Sequence, residues 1–88
     1  MNINKNKILH NICYTELVYD RINKKLNTFF SKEQIIELIF TIIEQTNESF
    51  FEKIGKNYYI TNIDYNIIII INSHTFRVIT IDRIKKIQ

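Results

Sequence analysis

Hydrophobic positions recur at helical spacing over the first half of the chain. Between Lys5 and Leu26, apolar side chains are spaced four residues apart, at Leu9, Cys13 and Leu17 and again at Val18, Ile22 and Leu26. This spacing predicts an amphipathic helix over about 5–26, which Thr15, as a candidate N-cap, would divide into two shorter helices. Ser31 and Gln34 form a capping box, so a second helix is predicted over about 32–46. That helix is apolar around most of its circumference, which favours a position between two layers or beneath a sheet.

From about residue 50 the period changes to that of strands. Segments rich in β-branched and aromatic residues predict strands at about 50–54, 57–61, 66–72 and 75–82. Gly55-Lys56 is a two-residue hairpin signal, and the other connections are also short. We therefore predict one α+β domain, residues 1–88, with two N-terminal helices packed on one face of a three- to four-stranded antiparallel meander.

The two faces of the sheet can be separated if every turn is two residues long, an assumption that a β-bulge would break. The face predicted to meet the helices carries Tyr58, Ile60, Ile67, Ile69, Ile71, Phe76, Val78 and Thr80. The other face carries Asn57, Tyr59, Thr61, Ile68, Ile70, Thr75, Arg77, Ile79, Ile81 and Arg83. Two helices cover only one face, so the second is predicted to be open and apolar enough to engage a partner.

Composition and charge narrow the class of protein. Isoleucine (21 of 88), asparagine (11) and lysine (nine) dominate, as is typical of an AT-rich genome, so abundant Asn and Lys do not indicate a polar binding surface. The formal net charge of +3 divides into +3 for residues 1–30, −4 for residues 31–52 and +4 for residues 53–88, which predicts a dipolar surface.

The isoleucine run Ile67–Ile71 is far shorter than the roughly 20 residues of a membrane span. No signal peptide is recognisable, so we expect a cytoplasmic protein.

Motifs for common chemistries are missing from the sequence. It has no phosphate loop, dinucleotide-binding glycine pattern, nucleophile elbow or paired-histidine motif. A single cysteine excludes an internal disulfide and zinc sites with several thiolates. His10 and Cys13 alone do not make a metal site, and Cys13 is predicted to be a core thiol in the first helix. No cofactor and no metal are expected.

One polar cluster suggests a catalytic alternative. Lys56, Asn57, Tyr59, His74, Arg77 and Arg83 come from strand positions that could converge on the open face or its rim. Small metal-independent ribonucleases of the RelE and barnase kind use such a set, in which a cation stabilises the transition-state phosphate and another group moves a proton. The segment Thr75–Arg83 resembles the closing strand of those toxins.

A second resemblance spans most of the chain. The segments Asn11–Tyr19, Arg21–Leu26, Gly55–Tyr59 and Asn72–Thr80 resemble a family of short bacterial proteins described only as a domain of unknown function. This resemblance implies no activity, substrate or cofactor.

The leading hypothesis is a small non-enzymatic protein that binds a macromolecule through the open sheet face. A phage or mobile-element inhibitor of a host nucleoprotein defence complex, of the anti-CRISPR type, is the sub-class that we favour. The predicted partner-binding residues are Tyr59, Ile68, Ile70, Arg77, Ile79, Arg83, Lys85 and Lys86. The partner is expected to be a protein or nucleoprotein, with RNA also possible, and a homodimer is predicted because Ile67–Ile71 is apolar on both faces.

Two alternatives remain open. The first is a ribonuclease toxin using His74, Arg77, Tyr59 and Lys56. The second is a self-associating module that binds nucleic acid.

Overall fold

The computed structural model describes residues 3–84. Three helices, α1 (Lys5–Asn11), α2 (Glu16–Leu26) and α3 (Lys32–Gln45), precede a 3₁₀ turn at Glu48–Phe50. Four strands follow, namely β1 (Phe51–Ile54), β2 (Asn57–Asn62), β3 (Ile67–Asn72) and β4 (Val78–Arg83). They form one antiparallel sheet in the order β1-β2-β3-β4. The predicted α+β class and meander are confirmed, with three helices in place of two.

The predicted first helix is interrupted between Ile12 and Thr15. Cys13 N donates to Phe76 O and Val78 N donates to Cys13 O, both at 2.9 Å, so Cys13 forms a parallel bridge to Arg77 beside β4. These bonds to the sheet replace the helical bonds that the spacing predicts. Cys13 is therefore exposed, and its Sγ lies 3.5 Å from Thr75 O, so the prediction of a core thiol in a helix is wrong.

Helix α3 begins as its capping box predicts. Gln34 N donates to Ser31 Oγ at 3.2 Å, and Ser31 N donates to Gln34 Oε1 at 2.8 Å. The core-facing side of this helix buries Ile35, Ile39, Ile42 and Ile43. Ile36 and Phe40 remain 40% and 41% exposed, so α3 packs beneath the sheet rather than between two layers.

One face of the sheet forms the hydrophobic core with the helices. Cross-strand partners share a face, and the rows Phe51–Ile60–Ile69–Ile81 and Tyr58–Ile71–Val78 both lie on this side. The sheet residues of the core cluster all belong to this face: Phe51, Ile60, Ile67, Ile69, Ile71, Val78 and Ile81. They pack against buried residues of the helices, among them Ile8, Val18, Ile22, Ile35 and Ile39.

A register shift in β4 corrects part of the predicted face assignment. Ile71 pairs with Val78 and Ile70 pairs with Thr80, so Ile79 is an extra residue in β4, as in a β-bulge. From Thr80 onward, each side chain of β4 lies on the opposite face of the sheet from the one that regular alternation would give. The prediction was therefore wrong for Thr80, which lies on the open face, and for Ile81 and Arg83, which lie on the helix side.

Candidate interaction surfaces

The open face of the sheet is the side opposite the helices. Its residues follow from the register: Glu52, Ile54, Asn57, Tyr59, Thr61, Ile68, Ile70, Asn72, Thr80 and Asp82. Tyr59 and Ile68 are half-buried and Ile54 is 54% exposed. Ile70 is only 9% exposed but lies outside the core cluster, so it fills the centre of this face among its own strand neighbours. The face thus has an apolar centre.

Charge on the open face is acidic within residues 3–84. Glu52 lies opposite Tyr59 on one side, and Asp82 lies opposite Ile68 on the other. Lys25 Nζ reaches Asp82 Oδ1 at 2.9 Å, but both side chains are about half exposed (49% and 45%), and such pairs contribute little stability. Among residues 3–84, the paired strand positions of this face carry no Lys or Arg, but Asn72 N donates to Arg77 O at 2.9 Å, which places Arg77 at the edge of the face beside the β3–β4 turn.

The predicted partner-binding residues divide into three groups. Tyr59, Ile68 and Ile70 lie together on the open face. Ile79 sits at the register shift, with its carbonyl oxygen accepting from Arg21 Nη1 at 3.0 Å. Arg77 is exposed beside the β3–β4 turn.

The remaining three predicted residues lie elsewhere. Arg83 is on the helix side of the sheet, where its Nη2 donates to Leu26 O at 3.2 Å, near the C-terminal end of α2. Arg83 is exposed, and this bond ties its guanidinium group to the last turn of α2. Lys85 and Lys86 lie outside the described residues.

Cations from distant parts of the chain meet at the end of the sheet that carries the β1–β2 and β3–β4 turns. Ser73 N donates to Lys56 O at 2.8 Å, which joins the two turns directly. Lys7 Nζ lies 6.0 Å from the centroid of the Phe76 ring, which places α1 beside the second turn. We call this end the basic pole and define it by Lys7, Lys53, Lys56, His74 and Arg77.

The proposed ribonuclease set is only partly brought together. Lys56, His74 and Arg77 lie at the basic pole, whereas Tyr59 projects from the open face. Arg83 is at the other end of β4, five residue steps from Val78, or about 16 Å along an extended strand. Lys7, which sequence reasoning did not include, joins the pole through the bridge between Cys13 and Arg77.

The β3–β4 turn is held by its own polar atoms. Asn72 Oδ1 accepts from His74 N at 2.8 Å and from Thr75 N at 2.9 Å. Phe76 adopts φ +60°, a left-handed conformation that is rare for an aromatic residue and costs of order 1–3 kcal/mol. Its backbone is fixed by bonds from Phe76 N to Asn72 O and from Cys13 N to Phe76 O, so the turn presents Arg77 in a defined place.

Exposed apolar side chains also lie on the helix layer, where Ile36 and Phe40 form a second apolar surface on α3. Phe29 is fully exposed, Leu17 is 74% exposed, and Ile36 and Phe40 lie one helical turn apart on α3. The sequence indicates this surface, because α3 has more apolar positions around its circumference than one packed side can bury.

Two ionisable groups on the helix layer have perturbed pKa values. Burial, with a smaller contribution from neighbouring Tyr19, raises the pKa of Tyr14 far above its ordinary value and keeps the phenol neutral. Its hydroxyl is buried without a hydrogen-bond partner among residues 3–84. The hydrogen bond from Lys32 Nζ to Glu16, at 2.7 Å, raises the pKa of the exposed Lys32 ammonium.

Within residues 3–84, no three His, Cys, Asp or Glu side chains are grouped so that they could hold a metal ion. None of the helices in that range has the length and apolar character needed to cross a bilayer.

Within residues 3–84, the fold is that of a small α+β protein with three helices on one face of a four-stranded meander. The chain belongs to the family DUF3781, described as a protein of unknown function, whose model matches residues 6–82. The predicted resemblance to a family of unknown function is therefore confirmed. No curated protein and no solved structure matches the chain.

Proposed function

We propose that this protein is a non-enzymatic binding module whose open sheet face docks a partner protein. The observation that carries the proposal is the apolar row on the side opposite the helices, where Tyr59 and Ile70 pair across β2 and β3 and Ile68 lies beside them. An apolar centre within a polar surround is the anatomy of a protein interface.

Charge favours a protein over a nucleic acid on this face. Glu52 and Asp82 flank the apolar centre, and the described register adds no cation to it. Asp82 is paired with Lys25, but the carboxylate of Glu52 would repel phosphates, whereas a protein ridge with apolar side chains and a few basic ones would fit both features. A second copy of this chain would bring the carboxylates of both faces together. A second copy of this chain is therefore a less favoured occupant of the face than a different protein. A nucleoprotein defence complex would be contacted through its protein component.

Single substitutions can test the face without disturbing the fold. Tyr59→Lys places a cation opposite Glu52, and Ile68→Lys places one opposite Asp82, so each new charge has a cross-strand partner of opposite sign. The matched control is Phe40→Lys on α3, between Glu37 and Glu44 at helical spacing.

The experiment is affinity capture from nuclease-treated extract of the organism that encodes the protein, using wild type and the three variants. We expect a stoichiometric protein partner that is lost with Tyr59→Lys and Ile68→Lys and retained with Phe40→Lys. Loss with Phe40→Lys alone would move the interface to the helix layer. Sedimentation of the purified protein as a dimer that dissociates in the face variants would instead identify a second copy as the occupant.

The ribonuclease alternative rests on the meeting of Lys56, His74 and Arg77 at the basic pole. It requires cleavage of single-stranded RNA by the purified protein without metal. Intact RNA after incubation with excess protein would remove its support.

A further inference from the structure

We infer that the basic pole binds the sugar–phosphate backbone of a nucleic acid, as a surface separate from the open face. This inference does not depend on the proposed function, because it concerns the cations at the turn end of the sheet and not the apolar centre of the open face.

The pole is basic because three chain segments without a carboxylate meet there. Residues 1–15, 53–63 and 65–81 contain no Asp or Glu. They supply α1, the β1–β2 hairpin and the β3–β4 turn, which the contacts of Lys7 with Phe76 and of Ser73 with Lys56 bring together. Of the neighbouring carboxylates, Glu16 is occupied by Lys32, and Glu52 projects onto the open face.

The cationic side chains of the pole differ from most of those elsewhere because they form no hydrogen bonds or ion pairs within residues 3–84. Outside the pole, five side chains hold the structure together: Lys5 to Glu44 O (2.9 Å), Arg21 to Ile79 O (3.0 Å), Lys25 to Asp82 (2.9 Å), Lys32 to Glu16 (2.7 Å) and Arg83 to Leu26 O (3.2 Å). Lys24 is the exception among the lysines and arginines that the structure describes outside the pole. Within residues 3–84, the side chains of Lys7, Lys53, Lys56 and Arg77 form no hydrogen bond or ion pair, so their charges are free for a ligand.

The arrangement fits phosphates better than an acidic protein. Lys56 directly precedes β2 and Arg77 directly precedes β4, so their backbones are about two strand spacings, or roughly 10 Å, apart and their cations can reach successive phosphates of one backbone. Thr75 is exposed in the β3–β4 turn beside Arg77, and hydroxyl groups of this kind also contact phosphate oxygens. The nearby aromatic ring of Phe76 is packed against the core, so the pole lacks the exposed apolar centre of a protein interface.

The test compares two double variants that each lower the net charge by two. The pole variant is Lys56→Gln with Arg77→Gln, and the control is Lys24→Gln with Lys25→Gln at the opposite end of the sheet. Probes are a fluorescein-labelled 20-nucleotide single-stranded RNA and a 20-base-pair DNA duplex, followed by anisotropy. Poly-glutamate of equal charge serves as the protein-like competitor.

For single strands, log K falls by about 0.7 per phosphate contact for each decade of salt. Between 0.15 M and 1 M salt this is about fourfold per contact, so loss of two contacts should weaken RNA binding about 15-fold at 0.15 M and lower the salt slope by about 1.4. The control should change the affinity less than threefold. Equal loss in both doubles, no binding of either probe, or poly-glutamate competing as well as RNA would each overturn the inference.

Discussion

The register shift in β4 can be tested by comparing two neighbouring residues. Regular alternation would bury Thr80 and expose Ile81, whereas the structure leaves Thr80 half-buried on the open face and Ile81 0% exposed in the core. Ile81→Ala removes about three methylene equivalents at about 0.8 kcal/mol each, and the cavity left behind adds to this, so we expect a loss of about 3–4 kcal/mol. Thr80→Ala should cost less than about 1 kcal/mol.

These differences are large for a chain of 88 residues, whose free energy of unfolding is expected to be about 4–13 kcal/mol. At about 4–8 °C per kcal/mol, Ile81→Ala should lower the melting temperature by about 12–30 °C. Urea unfolding followed by circular dichroism measures both variants. If Ile81→Ala does not fold, Ile81→Val should still cost about 1 kcal/mol. A larger loss at Thr80 than at Ile81 would refute the register shift and return Arg83 to the open face.

Two further predictions concern buried polar atoms. Tyr14→Phe should raise the free energy of unfolding by about 1 kcal/mol, because the Tyr14 hydroxyl is buried without a partner among residues 3–84. A lower free energy of unfolding for this variant, measured with urea, would show that the hydroxyl forms a hydrogen bond. Asn62 links the end of α3 to the turn after β2, since its Nδ2 donates to Thr46 Oγ1 at 2.9 Å and its Oδ1 accepts from Tyr65 N at 2.9 Å. Asn62→Ala should therefore cost about 2 kcal/mol in the same assay, and a change below 0.5 kcal/mol, the usual limit for surface sites, would contradict this link.

The open face can be predicted from the sequence, whereas the basic pole depends on tertiary contacts. Alternation along β2 and β3 was enough to place Tyr59, Ile68 and Ile70 on the face away from the helices. Nothing in the local sequence placed Lys7 beside Arg77, because that proximity depends on the bridge through Cys13 and on two turns meeting at one end of the sheet.

By itself, the sequence determined the features that depend on neighbours within a few positions. These are the capping box at Ser31, the hairpin at Gly55-Lys56 and the alternation of β2 and β3, since capping bonds, turn geometry and side-chain period are local properties. Only the tertiary structure decided the break after Ile12 and the register shift at Ile79. Both depend on backbone hydrogen bonds between distant segments, and such bonds can override helical spacing or strand alternation without leaving a local sequence signal.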